Sequence, residues 1–71
     1  MSAYAVIIEG SGESFSAYVP DLPGCVATGQ SVDEVEARIR EALRMHIESL
    51  EAHGELVPEP TTAAVRLVDV A

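Results

Sequence analysis

Lysine and tryptophan are absent from the 71-residue sequence, phenylalanine and cysteine occur once each, and only four arginines stand against twelve acidic side chains. The net charge of −8 argues against a nucleic-acid-binding surface, which needs clustered cations to neutralise phosphates. It argues equally against an anionic membrane as a direct partner. A lone cysteine, Cys25, rules out an internal disulfide and suits a reducing compartment. The longest apolar runs, such as Tyr4–Ile8, fall far short of the ~20 residues that span a bilayer. No basic segment precedes an apolar stretch at the start, so no secretory leader is read and a cytoplasmic location is expected.

What is present is apolar enough to fold. At 48% hydrophobic residues the chain cannot be a disordered acidic tail, and its length allows one domain, residues 1–71. Ordering so short a chain costs on the order of 100 kcal/mol of conformational entropy, at ~1.5 kcal/mol per residue. Domains of this size usually add disulfides, a metal or oligomerisation. With no disulfide and no cluster of metal ligands, self-association or another protein partner is expected.

Along the chain, residues Ala3 to Glu9 alternate Tyr4, Val6 and Ile8 against Ala5, Ile7 and Glu9, a strand with both faces mostly apolar, which is normally covered on both sides. Gly10-Ser11-Gly12-Glu13-Ser14 reads as a hairpin loop. Phe15 to Val19 is the returning strand, with Phe15, Ala17 and Val19 on one face. Pro20-Asp21-Leu22-Pro23-Gly24 stops the ladder and turns, and Cys25 to Thr28 forms a short third strand. Ser31-Val32-Asp33-Glu34 has capping-box spacing, and a helix runs from there to about Ala52, with Gly54 as a left-handed C-cap. Val32, Val35, Ile39, Ala42, Leu43, His46 and Leu50 fall in one stripe, and Glu34–Arg38 and Glu36–Arg40 are i,i+4 pairs. At ~1.5 Å per residue this helix outruns five- or six-residue strands and leaves Ile47 and Leu50 near an overhang. Val57-Pro58-Glu59-Pro60 with Thr61 and Thr62 is a stiff connector, and Ala64 to Val70 alternates as a last strand. The expected fold is α+β with the order β-β-β-α-β, a mixed four-stranded sheet of order 3-2-1-4 with one long helix on one face.

The run Tyr18-Val19-Pro20-Asp21-Leu22-Pro23-Gly24-Cys25, then Gly29, then Ser31-Val32-Asp33-Glu34, and finally Val57-Pro58-Glu59-Pro60, resembles the signature of the HicB-type antitoxin family over essentially the whole chain. The resemblance implies a degenerate ribonuclease H-like sheet. It also implies a domain that binds and neutralises a small basic toxin, a messenger-RNA ribonuclease resembling a double-stranded-RNA-binding domain. A chain of net −8 suits such a cationic partner, because complementary potentials speed encounter. Family members often add a C-terminal operator-binding domain; no such segment is read here, so direct nucleic-acid binding is not expected.

Chemistry-bearing residues can each be set against a plainer role. Glu9, Glu41 or Glu48, and Asp69 sit on elements comparable to those that hold two metal ions in active ribonuclease H folds, yet Glu41 and Glu48 project opposite the apolar stripe. His46 and His53 are seven residues apart, a poor metal spacing, and His46 reads as a half-buried, hydrogen-bonded side chain. Cys25 has Asp21 nearby and no cation to ionise its thiol, so it reads as a small buried apolar residue. Gly10-Ser11-Gly12 lacks the following lysine and helix of a phosphate loop. For the Asp21–Gly24 corner, a geometric role and an exposed Leu22 anchor remain open together. No catalytic, cofactor or metal residue is expected. The residues expected to meet a partner are Tyr18, Asp21, Leu22, Ile47 and Leu50. The expected partners are a small basic toxin and further copies of the chain, as a dimer or tetramer joined through the exposed sheet face and edge strands. An oligomeric scaffold of the same fold without a toxin is the alternative, with a metal-dependent nuclease built on those carboxylates as a third reading.

Overall fold

A computed structural model describes residues 3–70. Three strands, β1 (Ile7–Ser11), β2 (Ser14–Tyr18) and β3 (Val26–Gly29), are followed by one helix, α1 (Val32–Ala52). The strands form an antiparallel meander of order β1-β2-β3. The hairpin between β1 and β2 closes at the pair Ser11–Ser14, so only Gly12 and Glu13 form the turn and the ladder runs further than the expected five-residue loop allowed. Gly12 takes a positive φ of 64° there, as a tight hairpin requires. At the other end β2 stops at Tyr18, two residues before Pro20, whose missing N–H cannot continue a ladder. Residues 3–6, expected as part of the first strand, thus have no paired segment to run beside and lie outside it.

The expected four-stranded mixed sheet of order 3-2-1-4 is not formed: the sheet has three strands, all antiparallel. Residues 53–70 contain no strand, and residues 63–70 are exposed throughout. Alternation gives a segment the capacity to bury one side, but a strand exists only where an edge receives it. Here the chain is held at Thr61 and Thr62 by Asp21, and the segment beyond joins no edge of the sheet.

Helix α1 begins as its sequence dictates. The Ser31 hydroxyl accepts from the Glu34 N–H at 3.0 Å, satisfying one of the orphan donors of the first turn. The reciprocal contact of the capping box falls one residue early, with the Glu34 carboxylate accepting from the Gln30 N–H at 2.9 Å. At the other end the Glu55 N–H reaches the Leu50 carbonyl and the Gly54 N–H reaches the Glu51 carbonyl, with Gly54 at φ 68°, the two bonds of a Schellman cap.

The helix covers one face of the sheet. Its buried residues, Val35 and Ile39, are both 0% exposed and pack with Ala17, Val19, Leu22 and Cys25. Ala42, Leu43, Ile47 and Leu50 add a half-buried margin. Val32, expected in the stripe, is exposed, because the first turn projects past the end of the sheet. The overhang at the far end is roofed by the connector: Val57 and Pro60 are half-buried, and the Tyr4 hydroxyl donates to the Pro58 carbonyl.

Candidate partner-binding site

Pairing fixes which side chains share the face away from α1. Ile8, Ala17 and Ala27 lie opposite one another on the helix side, so their neighbours Ile7, Tyr18 and Val26, also mutually opposite, form a row on the other side. Tyr18 is 40% exposed and Val26 64% exposed. The next row is Glu9, Ser16 and Thr28, which is polar and carries one carboxylate. The second apolar face inferred from the alternation of the first strand is thus a single cross-sheet row, with Tyr18 at its centre.

The loop after Tyr18 is built to stay in place. The Leu22 N–H donates to the Val19 carbonyl, and the Cys25 N–H to the Leu22 carbonyl, two successive turns that Gly24 closes at φ 89°. Leu22 is 1% exposed, so its side chain is a core residue and presents no anchor to solvent. The Asp21 carboxylate accepts from the Thr61 N–H at 3.1 Å, the Thr61 hydroxyl at 2.9 Å and the Thr62 N–H at 3.0 Å. The bond from the Thr62 backbone, followed by that from the Thr61 hydroxyl, holds its pKa below the ordinary 3.8, since hydrogen bonds to the ionised form favour it. Asp21 therefore ties the connector to the loop across forty residues of sequence. Spacing alone could not reveal this, because the Thr61-Thr62 pair reads simply as the end of a stiff linker.

Ile47 lines a groove with Tyr4, Leu43, Val57 and the stems of Arg40 and Arg44, whereas Leu50 lies half-buried against the core. The five residues expected at a partner surface are therefore dispersed: Tyr18 on the outer sheet face, Asp21 and Leu22 inside the loop, Ile47 and Leu50 along the helix. Ile7 and Val26 complete the outer row and were missed individually, although the apolar second face of the first strand was the signal for them.

Cys25 is buried, and burial pushes its thiol pKa up. His46 is half-buried, while the His53 ring lies 2.7 Å from the Ser49 carbonyl. Glu41 and Glu48 both engage Arg44, and among the described residues no three His, Cys, Asp or Glu side chains gather into a metal-holding group. Arg38 and Arg40 pair with Glu34 and Glu36, so every helix cation is committed to a neighbouring carboxylate. No described helix is long and apolar enough to cross a membrane.

The arrangement is a small α+β domain with an open apolar row on its sheet and a net charge of −8. Residues 4–69 match the family model described as a HicB-like antitoxin of a bacterial toxin–antitoxin system, and the chain belongs to that family. It is 41% identical over 56 residues to a UPF0150 protein of Thermoplasma acidophilum, covering 78% of this chain and 81% of that one. A UPF0150 protein of Helicobacter pylori is 39% identical over 46 residues, 65% of this chain and 64% of its own. An uncharacterised protein from the rep-hol intergenic region of Haemophilus phage HP1 is 32% identical over 56 residues, 79% of this chain but 42% of the longer phage protein. No solved structure matches.

Proposed function

We propose that this domain neutralises a small, basic, RNA-cleaving toxin by lying over its catalytic surface, without turnover of a substrate and without a cofactor. The observation that carries this reading is the outer row Ile7–Tyr18–Val26 with Glu9 beside it, on a chain of net −8. An apolar centre beside a single carboxylate, on a chain of net −8, suits a partner whose RNA-binding surface is cationic, and field complementarity raises the encounter rate. Tyr18 is the natural anchor, since aromatic side chains near the middle of an interface carry much of the binding energy. Asp21 and Leu22 serve this surface indirectly by fixing the loop that follows Tyr18. Ile47 and Leu50 provide a second, helix-side margin.

The test is a reconstitution. The full chain isolated from its native host should carry a small basic protein, which cleaves RNA once separated and stops when the chain is added back. Tyr18→Glu should cost ~2 kcal/mol or more of that binding, a loss of roughly 30-fold in affinity, with the circular dichroism unchanged. A co-isolated partner that does not cleave RNA, or masking unaffected by Tyr18→Glu, overturns the proposal.

A further inference from the structure

A groove on the helix side of the molecule takes no part in the outer-face reading, and its walls are already fixed. One wall is α1, where Leu43, Ile47 and Glu51 recur every four residues along one side. They span roughly 12 Å at ~1.5 Å per residue. The other wall is the connector, through Val57 and Glu59, and Tyr4 completes the lining. Two ties hold that connector in place. The Tyr4 hydroxyl donates to the Pro58 carbonyl, and the backbone N–H groups of Thr61 and Thr62 donate to the Asp21 carboxylate. The resulting concavity measures about 530 Å³, inside the ~300–1,000 Å³ of preformed small-molecule sites.

The lining is mostly apolar, with charge of one sign left over. Tyr4, Leu43, Ile47 and Val57 are half-buried, whereas Glu51 and Glu59 are exposed. The arginine stems beside them add no available cation, because Glu36 pairs with Arg40 and both Glu41 and Glu48 pair with Arg44. Among the described residues, neither Glu51 nor Glu59 enters an ion pair. The groove therefore offers apolar area together with two uncompensated carboxylates, one on each wall. A neutral guest would strip water from those carboxylates without replacing it, and an anion would meet repulsion. A cationic guest with an apolar body answers both, since hydrogen bonds between ionised partners are the strong ones.

We propose that this groove binds a small organic cation. An ammonium or guanidinium head is held between Glu51 and Glu59, while the apolar body lies against Leu43, Ile47, Val57 and the Tyr4 ring. The dimensions favour a small molecule over a protein segment. Little more than two helical turns are available, against the ~800 Å² that each partner contributes to a standard protein interface. The site lies on the opposite side of the sheet from Ile7, Tyr18 and Val26, so it stands whether or not that face meets a toxin.

The experiment titrates the full chain, with no toxin present, with n-octylammonium and separately with n-octanoate, and follows methyl resonances by NMR. Octylammonium should shift the methyl signals of Leu43, Ile47 and Val57 and leave Val26 in place; octanoate should shift none of them. Glu51→Gln combined with Glu59→Gln should weaken octylammonium binding roughly tenfold. Glu13→Gln combined with Asp33→Asn removes the same amount of charge at the hairpin turn and the first turn of α1, and should leave the affinity nearly unchanged. Equal weakening by both pairs of substitutions overturns the site, because the net charge of −8 would then be attracting the cation by itself. So does octanoate binding as well as octylammonium, or octylammonium leaving the three methyl signals unmoved. A capped Leu-Leu-Lys peptide, of the same charge, that binds the groove more tightly than octylammonium would give it to a protein segment and overturn the small-molecule assignment.

Discussion

Asp21 joins parts of the chain that are far apart in sequence, and its chemistry can be followed directly. Its carboxylate accepts bonds from Thr61 and Thr62 that favour ionisation, so its folded pKa lies below the ordinary 3.8. A group depressed in this way contributes stability above its unfolded pKa and loses it as pH falls through the folded value. The clamp should thus be intact at neutral pH and open only under acid conditions below the ordinary aspartate range. The Thr61 and Thr62 amide protons should titrate together in NMR spectra with a midpoint under 3.8, and Asp21→Ala should abolish that step. Two further residues make local demands. Cys25, buried with a raised thiol pKa, should resist alkylation until the chain unfolds; rapid labelling of the native protein would contradict its placement. Gly10 sits at φ 132°, and a Cβ there would overlap the Ser14 carbonyl oxygen and lie 2.8 Å from the Phe15 Cα. Gly10→Ala should therefore cost at least ~1–3 kcal/mol, read as a lower urea midpoint.

At the scale of elements, the helix was legible almost to the residue because each of its signals is local: a serine cap, i,i+4 ion pairs, a 3.6-residue apolar stripe and a closing glycine. Ser31→Ala should cost about 1 kcal/mol. Ile39→Ala, at a site with no exposure, should cost ~2–5 kcal/mol, much of what a domain of this size has in reserve. A change of less than ~1 kcal/mol at Ile39 by urea denaturation, no more than a mere Ile→Val trim usually costs, would show that α1 is not packed as described. The strands were legible as elements but shifted at their ends, since a hairpin's register depends on which residues close the turn, and the pattern around Gly10 and Gly12 suits more than one. The fourth strand was misread for a different reason. Alternation from Val65 to Val70 encodes what the segment can bury and says nothing of where a partner edge lies, and the Asp21 clamp that directs the segment outward joins residues forty apart. Within the candidate site, the motif around Tyr18 was visible, whereas the row it forms with Ile7 and Val26 exists only through pairing.

For the whole molecule, charge and apolar contact act in opposite directions according to the partner. Each chain carries a net charge of −8, with the helix arginines tied to glutamates, so two copies would approach each other against mutual repulsion. A basic toxin, as proposed above, would approach down the same field. Added salt shortens the screening length from ~10 Å at 0.1 M to ~3 Å at 1 M, and this should strengthen self-association while slowing encounter with the toxin. Electrostatic steering typically accelerates association by ~10–1,000-fold, so the toxin on-rate measured by stopped flow should fall steeply over that range. Its off-rate should change little if the proposed contacts around Tyr18, which are apolar, carry the binding. Over the same salt series the sedimenting mass of the free chain should move toward two copies. If both equilibria weakened with salt, any homotypic contact would have to be carried by complementary charges. Opposite slopes in the two series would separate the two kinds of association energetically: one recruited by the long-range field, the other by apolar contact that screening favours.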